Sequence, residues 1–276
     1  MSARTFVNWY NGHPYHSSLL SPLLDLSKIN HVSIIGQGNV ALDVARMLLK
    51  PVEELEEFDL PDYALAELAR SRVKTVEIVG RRGLVQFAGT TKEVREMLQL
   101  EGVGFEGIER EMLSQSQRQV EGMTQEQGGR AKKRMMGLLE KGSKTKLGQA
   151  DKSWSLKFLR SPTRLLPSDP TRAQVEGQET TFGSIFSAPQ KVGAIEYDLN
   201  RLIRGQNSED PNDFRAEATG ETKRVETDMV FKSVGYRSIG LPGLPFDERK
   251  GVVRNIDGRV TDDEGSIVRS PPSFLL

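Results

Sequence analysis

The chain has 276 residues and carries 38 Lys plus Arg against 38 Asp plus Glu, so no global field draws it to nucleic acid or an anionic membrane surface. It has no cysteine and 3 histidines (His13, His16, His31), which excludes a redox dithiol, a disulfide framework, a thiolate nucleophile and a cysteine-ligated iron–sulfur cluster, and leaves little for a histidine metal site. No apolar run approaches the ~20 residues of a membrane-spanning helix.

Residues 1–30 hold only Arg4 and Lys28 as basic groups and show no cleavage-type pattern, so they do not read as a targeting peptide. The opening segment Ser2–Gly12 instead reads as the interior of a longer protein. Val32–Ile35 is a short apolar run and predicts a strand. Asn39–Leu49 places Val40, Val44, Met47 and Leu48 at helical spacing, and Pro51 ends that helix. Residues 52–72 are acidic, then helical around Ala64–Ala69, and lengthen the crossover to the next strand, Lys74–Val79. A second helix is expected over Thr91–Leu100. Residues 101–150 are polar, with paired glycines and glutamines, and predict loosely packed structure, helical in part. Trp154, Leu156 and Phe158 alternate with polar neighbours, the pattern of a half-buried strand. Ser161-Pro162 and Pro167-Ser168 bracket an expected turn region. Val192–Tyr197 and Thr227–Val234 are further strand candidates, and residues 205–223 are expected as a hairpin loop. Alternating strands and helices argue for the α/β class.

Gly36-Gln37-Gly38-Asn39-Val40-Ala41 fits G-x-G-x-x-A between a predicted strand and a predicted helix. Gly36 allows a tight turn, Gly38 lets the backbone approach a pyrophosphate, and Ala41 permits close helix–strand packing. The phosphates would rest on backbone N–H groups at the helix N-terminus. An ordinary glycine-rich turn is the plainer alternative; the flanking strand and helix favour the nucleotide. At the end of the second strand, enzymes that use NAD carry an acid for the ribose 2′-hydroxyl. Here Arg81 and Arg82 stand there instead. A forked, permanently charged guanidinium suits a phosphate, so the pair points to NADP.

Residues 128–146 contain 7 basic residues and a single acid, Glu140. They read either as a solvated helix face or as a docking surface for an acidic protein. Nucleic acid fits less well, because no aromatic residues interleave with the charges. No Tyr-x-x-x-Lys or histidine–carboxylate arrangement accompanies the glycine motif, so direct dehydrogenation of a small substrate has no support.

Several segments together resemble the adrenodoxin reductase type of NADPH–ferredoxin reductase. They are Phe6–Gly12; Gly36–Arg46; Ser71–Gly83 with Lys92–Met97; Phe158–Pro162 with Leu166–Ser168; and Ser233–Ser238 with Gly251–Val253 and Asp257–Val260. The resemblance implies a Rossmann-like NADP-binding domain from a flavoprotein with two dinucleotide-binding domains. It implies that NADPH passes a hydride to FAD, and that electrons go singly to a small acidic ferredoxin or adrenodoxin. Gly36, Gln37, Gly38, Asn39 and Val40 would hold the NADP pyrophosphate, Arg81 and Arg82 the 2′-phosphate, and Glu93 would contact the nucleotide. Arg130, Lys132, Lys133 and Arg134 would dock the ferredoxin.

The resemblance further implies residues 1–30 as a connector from the flavin domain, 31–226 as the NADP-binding domain and 227–276 as a return segment, with the flavin domain largely missing from this chain. Gly89-Thr90-Thr91 departs from the family's pattern, and the run Ser270–Leu276 lacks the family's flavin- and nicotinamide-touching segments. The apolar faces of Ser2–Gly12 and Thr227–Ser238 would then lack cover. Mitochondrial placement, in the matrix or on the matrix side of the inner membrane, follows by the same likeness. The rival expectation is a non-catalytic NADP-binding module or an inactive truncation lacking FAD.

Overall fold

The computed structural model describes residues 1–168, 191–205, 214–235, 238–262 and 264–268. Tyr236, Arg237 and the run 270–276, used above, lie outside the described residues, as do 206–213 of the expected hairpin loop. The chain divides into two compact units, Met1–Val234 and Gly235–Leu276. The second holds short antiparallel pairs, Phe246–Asp247 with Val252–Val253 and Asn255–Ile256 with Arg259–Val260.

The first unit is built on a parallel sheet. Its strands are β1 (His31–Ile35), β2 (Thr75–Val79), β3 (Val103–Phe105), β4 (Lys152–Lys157) and β8 (Met229–Lys232), in the spatial order β3-β4-β2-β1-β8. Period-two alternation splits each strand between two faces. Val32, Ile34, Val76, Ile78, Trp154 and Leu156 join the main core with the helices. Ile35 and Val79 point the other way and pack on Ile195 and Tyr197 of a three-stranded antiparallel sheet. That sheet is β5 (Arg160–Pro167), β6 (Val192–Arg204) and β7 (Phe214–Glu226), in the order β5-β6-β7. Both faces of the parallel sheet are therefore covered, as parallel strands require.

The helices follow from local signals. Asn39–Leu49 (α3) buries Ala41, Leu42, Val44, Ala45, Leu48 and Leu49, and ends at Lys50 before Pro51. Asp62–Ala69 (α5) and Thr91–Gln99 (α6) occupy the expected spans; α4 (Val52–Leu55) is a single turn. Upstream of them, α1 (Ala3–Tyr10) is capped by Ser2, whose hydroxyl accepts from Thr5 N at 3.0 Å, and α2 (Pro14–Leu20) starts at a proline. The α1 residues Phe6, Trp9 and Tyr10 lie at helical spacing and are all buried. Phe6 packs on Phe231 of β8 with ring centroids 5.1 Å apart. Trp9 Nε1 donates to Ser21 Oγ at 3.0 Å. The expectation that these two segments lack cover is thus corrected in part: Phe6 and Phe231 cover each other, while Val234 stays exposed.

Further corrections have physical causes. Residues 101–150 form β3 and the helices α7 (Arg110–Glu121) and α8 (Gly129–Lys141), and Val120, Met135, Met136 and Leu139 are buried in the main core. Their apolar stripes are narrow, so the segment looks loose in sequence. Residues 160–167 are a strand rather than a turn. β5 is an edge strand, where proline costs no ladder hydrogen bond, and its register shifts fall at Pro162/Arg164 and Leu166/Pro167. Residues 214–223 belong to β7, which is polar because most of its side chains are exposed. β4 is fully covered at Trp154, Ser155 and Leu156, not half-buried, because it lies inside the sheet between β2 and β3.

Truncating Phe6 to alanine removes a fully buried ring from this contact. Phe6→Ala is expected to cost about 3–5 kcal/mol in urea unfolding followed by tryptophan fluorescence. A loss below about 1 kcal/mol would mean that α1 is not part of the cooperative unit.

Candidate nucleotide-binding site

The register aligns four strand ends. Ile35 pairs with Val79 and with Lys232, and Val79 pairs with Lys157. The residues that follow, Gly36, Gly80, Phe158 and Ser233, thus share the carboxyl rim of the sheet, where open α/β sheets bind ligands. From β1 the chain moves to β2 on one side, while β8 closes the other side, so the switch point lies beside Gly36.

Gly36 has φ +115° and its N–H donates to Val79 O at 2.8 Å. A Cβ there would sit 2.1 Å from Ser233 O. Ser233 N in turn donates to Ile35 O at 2.7 Å. Only glycine allows β1 and the exit from β8 to approach this closely. Gly38 differs. It is the extended N-cap of α3, its carbonyl accepts from Ala41 N at 3.0 Å, and a Cβ on it would meet nothing within 4 Å. The open space lies over the first turn of α3, where N–H groups such as those of Asn39 and Val40 have no carbonyl behind them. These groups and the helix dipole suit a pyrophosphate.

The side chain of Gln37 is engaged within the fold. Its Nε2 donates to Ile78 O at 3.1 Å and to Lys157 O at 2.9 Å, so the side chain ties the ends of β2 and β4. Gly80 makes room for it, since a Cβ there would lie 2.0 Å from Gln37 Oε1. Gln37 keeps only its backbone for a phosphate. Asn39 Oδ1 accepts from Thr90 N at 2.8 Å, which fixes the start of α6 beside the start of α3.

Arg81 and Arg82 are exposed at the end of β2, and among the described residues their guanidinium groups make no hydrogen bond or ion pair. They are charged forks without a protein acceptor. Glu93, by contrast, is engaged. Arg46 donates to its Oε2 at 3.0 Å, and also holds Asp43 and Glu96. Three carboxylates around one guanidinium leave excess negative charge. Asp43 is accordingly pushed above its ordinary pKa, first by burial and then by Glu93 and Glu96, against the opposing pull of Arg46. Sequence reasoning missed Arg46, which looks like any helix-surface arginine until α6 packs beside α3.

On α8, Arg130, Lys133 and Arg134 are exposed while Met135, Met136 and Leu139 face the core; Lys132 is partly covered. Arg130, Lys133 and Arg134 line an open hollow of about 860 Å³ together with Thr91, the first residue of α6. The basic face therefore adjoins the helix that Asn39 anchors. Gly102-Val103-Gly104-Phe105-Glu106-Gly107 also matches G-x-G-x-x-G, but it spans β3, and a Cβ on Gly104 would lie 2.9 Å from Leu147 Cα. Gly104 serves packing, while Gly102 and Gly107 take positive φ at either side of the strand.

No family model matches the chain. The NADPH:adrenodoxin oxidoreductase, mitochondrial, of Arabidopsis thaliana is 38% identical over 283 residues, covering 100% of this chain and 52% of that protein. The Bos taurus protein of the same name is 39% identical over 274 residues, covering 96% and 49%. The structure of Mycobacterium tuberculosis FprA in complex with NADPH aligns with TM-score 0.70 and 32% identity over 97% of this chain and 51% of that one. The chain is homologous to one half of an adrenodoxin reductase-type NADPH–ferredoxin reductase. It spans about half the length of the curated relatives it matches. The α/β architecture with its parallel sheet is that of the reductases, and NADPH is the ligand named for their solved relative FprA.

The raised pKa of Asp43 predicts a pH effect on stability. Its folded-state value lies above the unfolded one, so its contribution is complete below the ordinary carboxylate pKa and is lost as pH rises through the folded value. Asp43→Asn removes that titration. The variant's thermal midpoint is expected to fall less than the parent's between about pH 4 and pH 7, with the variant relatively more stable at the upper end. Parallel curves would mean that Asp43 titrates as if unfolded.

Proposed function

We propose that this chain binds NADPH and supplies the nucleotide-binding part of an NADPH:adrenodoxin/ferredoxin oxidoreductase, which passes electrons from NADPH by way of FAD to an acidic iron–sulfur protein. The observation that carries the reading is the pair of exposed arginines, Arg81 and Arg82, without an acceptor among the described residues and one strand away from the Gly36–Ala41 turn. The relatives' names, NADPH:adrenodoxin oxidoreductase and NADPH-ferredoxin reductase, support it.

In this reading the backbone N–H groups of Gly38, Asn39 and Val40 bind the pyrophosphate, and Gly36 keeps the cradle tight. Arg81 and Arg82 hold the 2′-phosphate by charge-assisted hydrogen bonds. Gln37 orients the strand ends rather than touching phosphate through its side chain. Glu93, held by Arg46 through Oε2, contacts the nucleotide from that position. Arg130, Lys132, Lys133 and Arg134 present positive charge to the ferredoxin, and complementarity of this kind speeds encounter. The connector role of residues 1–30 and the return role of 227–276 belong to the same proposal, as does a mitochondrial matrix location.

When bound, the nicotinamide and flavin would supply the hydride and one-electron chemistry, and the part of this chain's residues would be to bind and orient: the N–H groups of Gly38, Asn39 and Val40 at the pyrophosphate, Arg81 and Arg82 at the 2′-phosphate. The described residues fit NADP. They hold one strand–glycine–helix cradle, and a second one for FAD is not among them. A non-catalytic NADP-binding module stands as the second reading.

Two measurements test these readings. Each charge-assisted hydrogen bond is worth roughly 1.5–3 kcal/mol. Replacing both arginines, Arg81→Ala with Arg82→Ala, should weaken NADPH binding by on the order of a hundredfold or more, with NADH little changed, as read by isothermal titration. Equal loss for both nucleotides refutes the 2′-phosphate role. The second measurement is the visible spectrum of the purified chain after incubation with excess FAD and desalting. Retained flavin bands support the reductase, and a colourless protein supports the binding module.

A further inference from the structure

The three backbone carbonyls at the end of β2 are all held by one brace. Gly80 O accepts from Arg160 N at 3.0 Å, and Arg82 O accepts from Leu159 N at 3.2 Å. Between them, Arg81 O accepts from Asn200 Nδ2 at 3.0 Å. Asn200 is only 8% exposed. Its second amide hydrogen goes to Ser161 Oγ at 2.9 Å, and its backbone N–H donates to Leu159 O at 2.8 Å. One asparagine thus joins the arginine segment, the β4–β5 turn and β6.

Two irregularities accompany this brace. Leu159 has φ +58°, a left-handed conformation that a bulky residue rarely adopts and that surrounding contacts must enforce. The β6–β7 register shifts between Asp198 and Asn200. A nearly buried amide and a strained turn meet at the same point, under two arginines whose guanidinium groups make no hydrogen bond or ion pair among the described residues. A connection needed only for folding could use glycine at 159 and an apolar residue at 200.

We propose that Asn200 is a positioning residue: by holding Arg81 O it aims Arg81 and Arg82, and so sets the preference for a 2′-phosphorylated nucleotide. This rests on the NADP reading above. The antiparallel sheet then acts as the support of the specificity turn. A guanidinium fork binds phosphate through directed N–H groups, and misdirection weakens those bonds without removing the charge.

The test uses the purified 276-residue chain and two probes that differ only at the 2′ position, 2′,5′-ADP and 5′-AMP, titrated calorimetrically. Asn200→Ala removes the donor. Asn200→Asp keeps the volume and reverses the bond to Ser161, accepting from its hydroxyl where Asn200 donates to it, but it turns an acceptor toward Arg81 O. Both variants are expected to weaken 2′,5′-ADP about tenfold and to leave 5′-AMP unchanged. A merely structural role would move both ligands together or neither, and either result overturns the proposal. If Asn200→Ala does not fold, the isosteric variant decides. The double variant Arg81→Ala with Arg82→Ala separates the two levels. If it keeps the parent's ratio of affinities, the NADP reading falls and the proposal with it. If it abolishes the ratio while both Asn200 variants keep it, only the positioning role falls.

Discussion

Among the described glycines, Gly36 carries the tightest backbone constraint. The chain leaves β1 at a point where a Cβ would lie 2.1 Å from Ser233 O, so the close pairing of β1 with the exit from β8 exists only because no side chain is there. That approach fixes the switch point of the sheet. With strand register holding the ends of β1, β2, β4 and β8 level, the cradle at Gly38 and the arginines at 81 and 82 open on one rim. Gln37 adds the lateral tie, bonding Ile78 O and Lys157 O across the gap that Gly80 leaves.

The antiparallel sheet has a different physical character. It covers the second face of the parallel sheet with a small apolar cluster, Ile35, Val79, Ile195 and Tyr197, and beside it a buried ion pair, Glu77 with Arg160 at 3.3 Å. Buried ion pairs add little net stability because desolvation offsets their attraction, yet removing one partner leaves an uncompensated charge. Arg160 therefore does two things. Its side chain neutralises Glu77, and its N–H holds Gly80 O. Burial, with Glu77 next, pushes the Tyr197 phenol well above its ordinary range, so it stays neutral at any physiological pH.

Some of this was legible beforehand because it is local. Val32–Ile35, Asn39–Leu49 and Lys74–Val79 declare themselves by periodicity and by Pro51, and the two glycines need only their own strand and helix to be interpreted. β5 and β7 were illegible for equally concrete reasons. Prolines at 162 and 167 read as turn residues until the strand is known to lie at an edge, and β7 has no apolar alternation because its side chains face solvent. The helices of residues 110–141 were hidden by stripes too narrow to stand out among lysines and glutamines.

The amino-acid sequence by itself determined the α/β class, the strand–glycine–helix turn at Gly36–Ala41 and the paired charge of Arg81 and Arg82, since each depends on residues adjacent in the chain. Tertiary structure alone decided which side chains remain available. Gln37 is taken up by β2 and β4, and Glu93 by Arg46. Among the described residues Arg81 and Arg82 have no partner for their guanidinium groups, over carbonyls held from residues 159, 160 and 200. Hydrogen-bond capacity is finite, and which partner takes it depends on groups that meet only after distant segments pack.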